Sequence, residues 1–241
     1  MSDLTGKVVL VTGASRGIGY QAGLEAARRG AHVIAVARTV GGLEDLDDAI
    51  KKLGGATTLV PLDLRDGDGI DRLGAVIFER WGHLDGLIGN AGQLGLITPV
   101  PHLDVKDFEM AFGVNVTANY RLIRSMDLLL RQSEAGRAVF VSSSSSHSAR
   151  AYWGVYAASK AALEALVKSY AAELSNTPVR INVFWPGAVR TAMRAKAMPG
   201  EDPETLPKPA EIVPKLIDMI SPAFTENRMI YDYDTASMIP L

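Results

Sequence analysis

The chain has 241 residues, enough to bury a sizeable core without disulfides or metal. Its 25 Lys and Arg stand against 27 Asp and Glu, for a net charge of −2 with no block of like charges, which excludes the basic footprint of a nucleic-acid binder. The absence of cysteine excludes thiol nucleophiles and Cys-ligated zinc, and His32, His83, His102 and His147 lack the spacing of a metal site.

Residues 1–7 carry neither a basic n-region nor a sustained apolar stretch, and no segment reaches the roughly 18 apolar residues of a membrane span, so the sequence predicts a soluble, cytoplasmic protein. Val8–Val11 has no polar alternation and predicts a strand covered on both faces. It runs into Thr12-Gly13-Ala14-Ser15-Arg16-Gly17-Ile18-Gly19, a Gly-x-x-x-Gly-x-Gly turn before a helix expected over about Gly17–Arg29. Such a turn lets backbone N–H groups and a helix N-terminus approach a diphosphate; the plainer reading is an ordinary strand-to-helix turn. A second strand, Val33–Ala37, ends in Ala37-Arg38-Thr39. An acid there would bond a ribose 2′-hydroxyl, whereas a cation pairs with a 2′-phosphate, and Arg16 offers a second positive charge. Two solvated arginines are the alternative.

Thr58–Val60 predicts the third strand, after which Asp63-Leu64 either flanks an adenine or caps the helix near Asp66–Trp81. Leu84–Ile88 is the fourth. Asn90-Ala91-Gly92 directly after it is small enough for a ribose or nicotinamide to lie against the backbone, or is only a turn. A long helical pattern from about Asp104 to Arg131 contains Asn115, a poor helix former. The strand Ala138–Val141 then delivers a serine run, Ser142–Ser146, to its C-terminal end. Within the next helical segment, Val155–Leu174, Tyr156 and Lys160 stand one turn apart on one face. A phenol ionises near 10, so proton exchange near neutrality calls for a neighbouring cation, which Lys160 can supply. Ser143, thirteen residues upstream of Tyr156, can donate to a substrate oxygen that gains negative charge; Ser144 and Ser145 are alternatives in the same run. After the strand Arg180–Phe184, Pro186-Gly187-Ala188-Val189-Arg190-Thr191 presents backbone groups and a hydroxyl at the same edge, and residues 192–209, rich in Pro and acids, predict a substrate loop or lid. The unbroken alternation predicts one α/β domain over residues 1–241: a doubly wound Rossmann fold with a parallel sheet of about seven strands and helices on both faces.

Taken in order, these residues resemble the short-chain dehydrogenase/reductase family from about Lys7 to Thr191. The resemblance implies a catalytic set of Asn115, Ser143, Tyr156 and Lys160, and a dinucleotide path along Gly13, Ser15, Arg16, Gly17, Ile18, Gly19, Arg38, Asp63, Leu64, Asn90, Ala91, Gly92, Pro186, Gly187, Val189 and Thr191, while Arg38 and Arg16 point to NADP(H) in preference to NAD(H). Tyr156 and Lys160 also lie on that path, the lysine holding the nicotinamide ribose. Gly89-Asn90-Ala91-Gly92 stands where the family has Asn-Asn-Ala-Gly. The stretches 150–154, 190–194 and 201–203 are similar to a bacterial subgroup of uncharacterised oxidoreductases, and beyond Pro222 the chain departs from the ketoacyl-carrier-protein reductases.

The implied reaction moves a hydride between nicotinamide and a carbonyl or secondary alcohol. Tyr156 exchanges the proton, Ser143 holds the oxygen, and Asn115 anchors a water that links Lys160 to solvent. Gln93, Leu94, Leu96, Tyr152, Trp153, Met193 and Met198 are candidate contacts to a small, mostly apolar substrate. The resemblance also implies a homodimer or homotetramer, pairing 104–131 and 155–174 through Ala157, Ala161, Ala165 and Ala172. No nucleic-acid or membrane partner is expected. The competing reading is an NADP(H)-binding sensor or interaction module without turnover, which would have no need of Ser143 and Asn115. An epimerase or dehydratase of the extended relatives is disfavoured, since only about 50 residues follow Thr191.

Overall fold

Five buried residues in β1 (Val8–Thr12) and five in β5 (Arg137–Val141) mark strands enclosed on both sides, as their unbroken apolar character requires. In this computed structural model, which describes residues 4–241, they are central to a single sheet. Residues 1–3, part of the N-terminal stretch read above, lie outside the described residues. The remaining strands are β2 (His32–Ala37), β3 (Thr57–Pro61), β4 (Gly86–Gly89), β6 (Arg180–Trp185), β7 (Met229–Asp232) and β8 (Ser237–Pro240). Their order is β3-β2-β1-β4-β5-β6-β7-β8. The sheet therefore has eight strands rather than about seven, and the last pair is an antiparallel hairpin on an otherwise parallel sheet. Four residues separate β7 from β8, too few for a parallel crossover.

Helices cover both faces. On one, α3 (Gly67–Trp81), α5 (Ala118–Gln132) and α7 (Gly154–Glu173) pack Ile70, Leu122, Met126 and Leu163 against Leu87, Phe140 and Val183. On the other, α1 (Gly17–Arg28), α2 (Val40–Lys52) and α9 (Pro209–Asp218) place Ala22, Ala26, Leu46 and Leu216 against Val9, Val33 and Val139. The sequence reading passed over α2, although its buried residues Leu43, Leu46 and Ile50 have helical spacing. Small residues on α1 allow close approach: a Cβ at Gly23 would lie 3.0 Å from Leu46.

Three segments differ from expectation. The helical run 104–131 is broken into α4 (Val105–Phe112), a π-helical turn (Gly113–Thr117) and α5, with Asn115 in the wide turn. The serine run folds its end into the short α6 (Ser145–Ser148). Residues 192–209 are not structureless: they contain α8 (Ala192–Ala197), capped by the Thr191 hydroxyl, and a 3₁₀ turn at Pro203–Thr205.

Because β1 leads one way through β2 and β3 and the chain then returns to place β4 on the other side of β1, the strand order reverses between β1 and β4. A crevice opens outside the C-terminal ends of the strands at such a point. Thr12 and Asn90 fasten it. The Thr12 hydroxyl accepts from the Asn90 and Ala91 amides, both at 3.0 Å, and the Asn90 Nδ2 donates to the Thr12 carbonyl at 2.9 Å.

Candidate active site

The glycine turn closes tightly over this junction. Gly13 and Gly17 have φ of +67° and +60°, where side chains other than hydrogen are strained. A Cβ on Gly13 would sit 2.9 Å from Asn90 Nδ2, and one on Gly19 would run into the Gly13 carbonyl oxygen. The turn thus lays α1 with its N-terminus facing the crevice, and no side chain caps that first turn, leaving its N–H groups to an anionic ligand. This cradle fits a dinucleotide diphosphate.

At the end of the crevice beside β2 and β3, Arg16 and Arg38 are exposed. Asp63 is engaged by Arg65, whose Nη2 lies 2.6 Å and whose backbone N–H lies 3.0 Å from its carboxylate, while Arg38 Nη1 stands 3.9 Å away. The hydrogen bonds from Arg65 hold the Asp63 carboxyl near 2, below the usual carboxylate range. Asp63 is not the helix cap: Asp66 caps α3, accepting from Gly69 N–H at 2.9 Å. Arg65, which the sequence reading did not single out, gives this end a third cation.

At the other end, β5 delivers the serine run beside α7. The Ser143 hydroxyl donates to Ser145 Oγ at 3.1 Å. Of the serine run it is Ser143 that acts on the Tyr156 phenol. Tyr156 is buried, and desolvation pushes its phenol above the usual value, with the Ser143 hydroxyl acting in the other direction. The sequence led us to expect Lys160 to lower it. Instead Lys160 Nζ donates to the Val141 carbonyl at 2.8 Å and stands 5.8 Å from the centre of the Tyr156 ring, and burial prevails at the phenol. Burial also brings the Lys160 ammonium down to about 8, against an upward pull from Glu164.

Asn115 is fully buried behind this pair. Its amide exchanges hydrogen bonds with the Gln93 backbone and donates to Ser159 Oγ at 2.9 Å, and Ser159 in turn donates to the Tyr156 carbonyl at 2.8 Å. A Cβ on Gly92 would make ordinary contact with Lys160 Nζ at 3.5 Å and Asn115 Oδ1 at 3.6 Å, so Gly92 borders the space the two share.

A cleft of about 840 Å³ joins the two ends. It is lined by every sequence-predicted cofactor residue except Gly19, which lies beneath the turn, and by Ser143, Gln93, Leu94, Trp153 and Met193. Asn115, Tyr152, Leu96 and Met198 do not line it. Tyr152 adopts a left-handed backbone, φ +70°, and is 58% exposed, so its ring leaves the cleft that Trp153 enters. Met198 packs instead behind the wall formed by Leu94, Trp153 and Tyr156. Trp153 meets Tyr156 edge to face at 5.9 Å. Over the mouth, α8 is tethered by Arg194 to Glu201 at 2.5 Å, and the stretch before it by Arg190 to Glu204 at 2.8 Å.

Comparison with known proteins identifies the architecture. The model of the short chain dehydrogenase family matches residues 7–202. The chain belongs to this family. The short-chain dehydrogenase is 39% identical over 214 residues to the uncharacterized oxidoreductase YciK of Escherichia coli K12, covering 88% of this chain and 84% of that one. A short chain dehydrogenase of Shigella flexneri 2a strain 301 complexed with NADP superimposes with a TM-score of 0.92 at 36% identity, covering 96% of this chain and 99% of that one. Another, from Escherichia coli CFT073 complexed with NADPH, gives 0.91 at 37% identity over 95% and 96%. The protein is therefore an oxidoreductase of the short-chain dehydrogenase family. Among its described residues no helix is long and apolar enough to cross a membrane.

Proposed function

We propose that this short-chain dehydrogenase is a cytoplasmic, NADP(H)-dependent enzyme that moves a hydride between the nicotinamide and a carbonyl or secondary alcohol of a small, largely apolar substrate. The observation that carries the reading is the continuity of one cleft from the glycine cradle to the Ser143–Tyr156 pair. Gly13, Ser15 and the α1 N-terminus would hold the diphosphate, and Val189 and Thr191 the nicotinamide side. Arg16 and Arg38 would meet a 2′-phosphate, and the NADP and NADPH complexes of similar dehydrogenases support that preference.

When bound, the cofactor supplies the hydride. Tyr156, kept neutral by its burial, gives its proton to the carbonyl oxygen, and Ser143 holds that oxygen. As the phenol loses its proton, the Lys160 ammonium next to its ring steadies the phenolate. Asn115 holds the Gln93 backbone, and with it the space by Gly92 through which a water would resupply the proton. Leu94 and Trp153 favour an apolar group beside the reacting carbon, and residues 192–209 act as the lid that excludes water.

We further propose assembly as a homodimer or homotetramer. Val105, Phe108 and Leu128 on α4 and α5 are exposed, as are Ala161, Ala165 and Ala172 on α7, whereas Ala157 is buried within its own chain. Light scattering on the purified protein tests this, and a monomeric mass contradicts it.

The reaction is tested by following NADPH and NADH consumption against aldehydes, ketones, diketones and quinones. Turnover that favours NADPH is expected. Tight NADPH binding with no turnover across the panel would favour the sensor reading.

A further inference from the structure

One buried charge has no part in the chemistry above. Glu164 lies on α7 one turn beyond Lys160, is 5% exposed, and is surrounded by donors from three elements. Its Oε1 takes the Ser142 hydroxyl at 2.5 Å and the Trp185 indole N–H at 2.8 Å. The Ser146 hydroxyl stands 2.9 Å from the same oxygen and 2.8 Å from the Ser143 carbonyl, its single proton shared between them. Oε2 faces His147 Nε2 at 3.2 Å, and the His147 ring packs edge-on against Trp185. A carboxylate buried for packing alone is expensive, so a set this complete calls for a reason.

Its neighbours supply one. Ser142 and Ser146 stand on either side of Ser143, the serine that acts on the Tyr156 phenol, and Trp185 ends the strand that leads into Pro186 and Gly187. One residue thus ties the ends of β5 and β6 to the helix that carries Tyr156 and Lys160. The titratable groups near it are His147, whose side chain is 64% exposed, and Lys160, which is buried. Glu164 is also the charge that acts on Lys160, where it opposes the effect of burial.

We propose that Glu164 is a positioning residue for the catalytic group: it fixes the serine segment that aims Ser143 at Tyr156 and provides the counter-charge to the Lys160 ammonium. The inference rests on the oxidoreductase reading above for its catalytic meaning, but its electrostatic half can be measured without turnover. Sequence carries a signal for it, since positions 156, 160 and 164 share one helix face and an acid on a buried stripe is out of place there.

The test is Glu164→Gln, which keeps the shape. Its carbonyl can accept from Ser142 and Trp185 while its NH₂ donates to His147 Nε2, so the fold is retained and only the charge is lost. Protein carrying ¹³C at the lysine ε-carbons, with the Lys160 signal assigned through Lys160→Arg, is titrated by NMR with no cofactor or substrate present. The wild type should give a Lys160 midpoint of about 8. In Glu164→Gln the midpoint should fall by about one pH unit or more, and Glu164→Asp, which restores the charge, should recover most of the shift. Where carbonyl reduction is measurable, its basic limb should move down by the same amount. A Lys160 midpoint unchanged in Glu164→Gln overturns the proposal; if that variant fails to fold, Ser142→Ala combined with Ser146→Ala, which unfastens the serine segment from Glu164, decides: kcat should fall with KM retained, and a wild-type kcat overturns the proposal. A shifted midpoint in a protein that reduces no carbonyl would uphold the electrostatic link and count only against the proposed carbonyl reaction.

Discussion

The amide of Asn115 forms a reciprocal pair of hydrogen bonds with the backbone of Gln93: Oδ1 accepts from its N–H at 2.7 Å, and Nδ2 donates to its carbonyl at 2.8 Å. The pair fastens the wide helical turn at 113–117 to the chain leaving β4, next to Gly92 and Lys160. Asn115→Ala would leave both Gln93 groups without a partner in the half-buried wall of the cleft. We expect a loss of about 2–4 kcal/mol in urea unfolding and a fall in turnover of at least about tenfold. Unfolding at the wild-type denaturant concentration would show that the turn is held by other means.

Proton transfer should depend on pH through Lys160, whose ammonium is lowered to about 8 by burial. The charged form serves reduction, so kcat/KM for a carbonyl should be level below about 8 and decline above it, approaching tenfold per pH unit. Stability carries the same group's mark. The unfolded chain holds this proton up to its ordinary value of 10.5, whereas the folded protein releases it near 8, so the Lys160 contribution to stability increases as pH rises through that window. Thermal melts between these limits, compared with those of Lys160→Met, would isolate it.

Cofactor choice should be set by exposed charge. Among the described residues neither Arg16 nor Arg38 is held by a close carboxylate, Arg38 standing 3.9 Å from an Asp63 already taken by Arg65. Replacing both by alanine should weaken NADPH binding about 10–100-fold while leaving NADH within about threefold, and raising the salt concentration should shrink the difference. Calorimetry with the two dinucleotides reads this directly; an equal loss for both would point to damage of the turn.

The cradle itself should tolerate no methyl at Gly19, since a Cβ there meets the backbone carbonyl of Gly13 and the Asn90 amide, neither of which can move without opening the Thr12–Asn90 junction. Gly19→Ala should lower the melting temperature and reduce NADPH affinity by at least about tenfold. Wild-type affinity in this variant would mean that the turn does not hold the diphosphate.

The sheet was readable because its strands are buried runs such as Val8–Val11 and Val33–Ala37, whose character depends on neighbours above and below and hence on the fold class. Helical spacing puts Tyr156 and Lys160 on one face, and the pair stood out because Ser143 lies thirteen residues upstream at the end of the preceding strand. What stayed hidden depends on contacts across the chain. The break at 113–117 exists because Asn115 reaches Gln93, twenty-two residues away, which no local propensity encodes. The direction of the Tyr156 shift likewise follows from enclosure by Trp153 and Leu94 and from Lys160 turning to the Val141 carbonyl. The ordering of 192–209 rests on Arg194 with Glu201 and Arg190 with Glu204, pairs whose geometry appears only once this segment is folded.

The central claim is that Tyr156 gives the proton while the cleft binds the dinucleotide independently of it. Its most direct test is single-turnover oxidation of enzyme-bound NADPH by the best carbonyl found, in wild type and Tyr156→Phe, with the NADPH dissociation constant measured for each. The expected result is a rate lower by about 10²–10⁴-fold at an NADPH affinity within about threefold. Oxidation at the wild-type rate in Tyr156→Phe, with NADPH bound, would contradict the account.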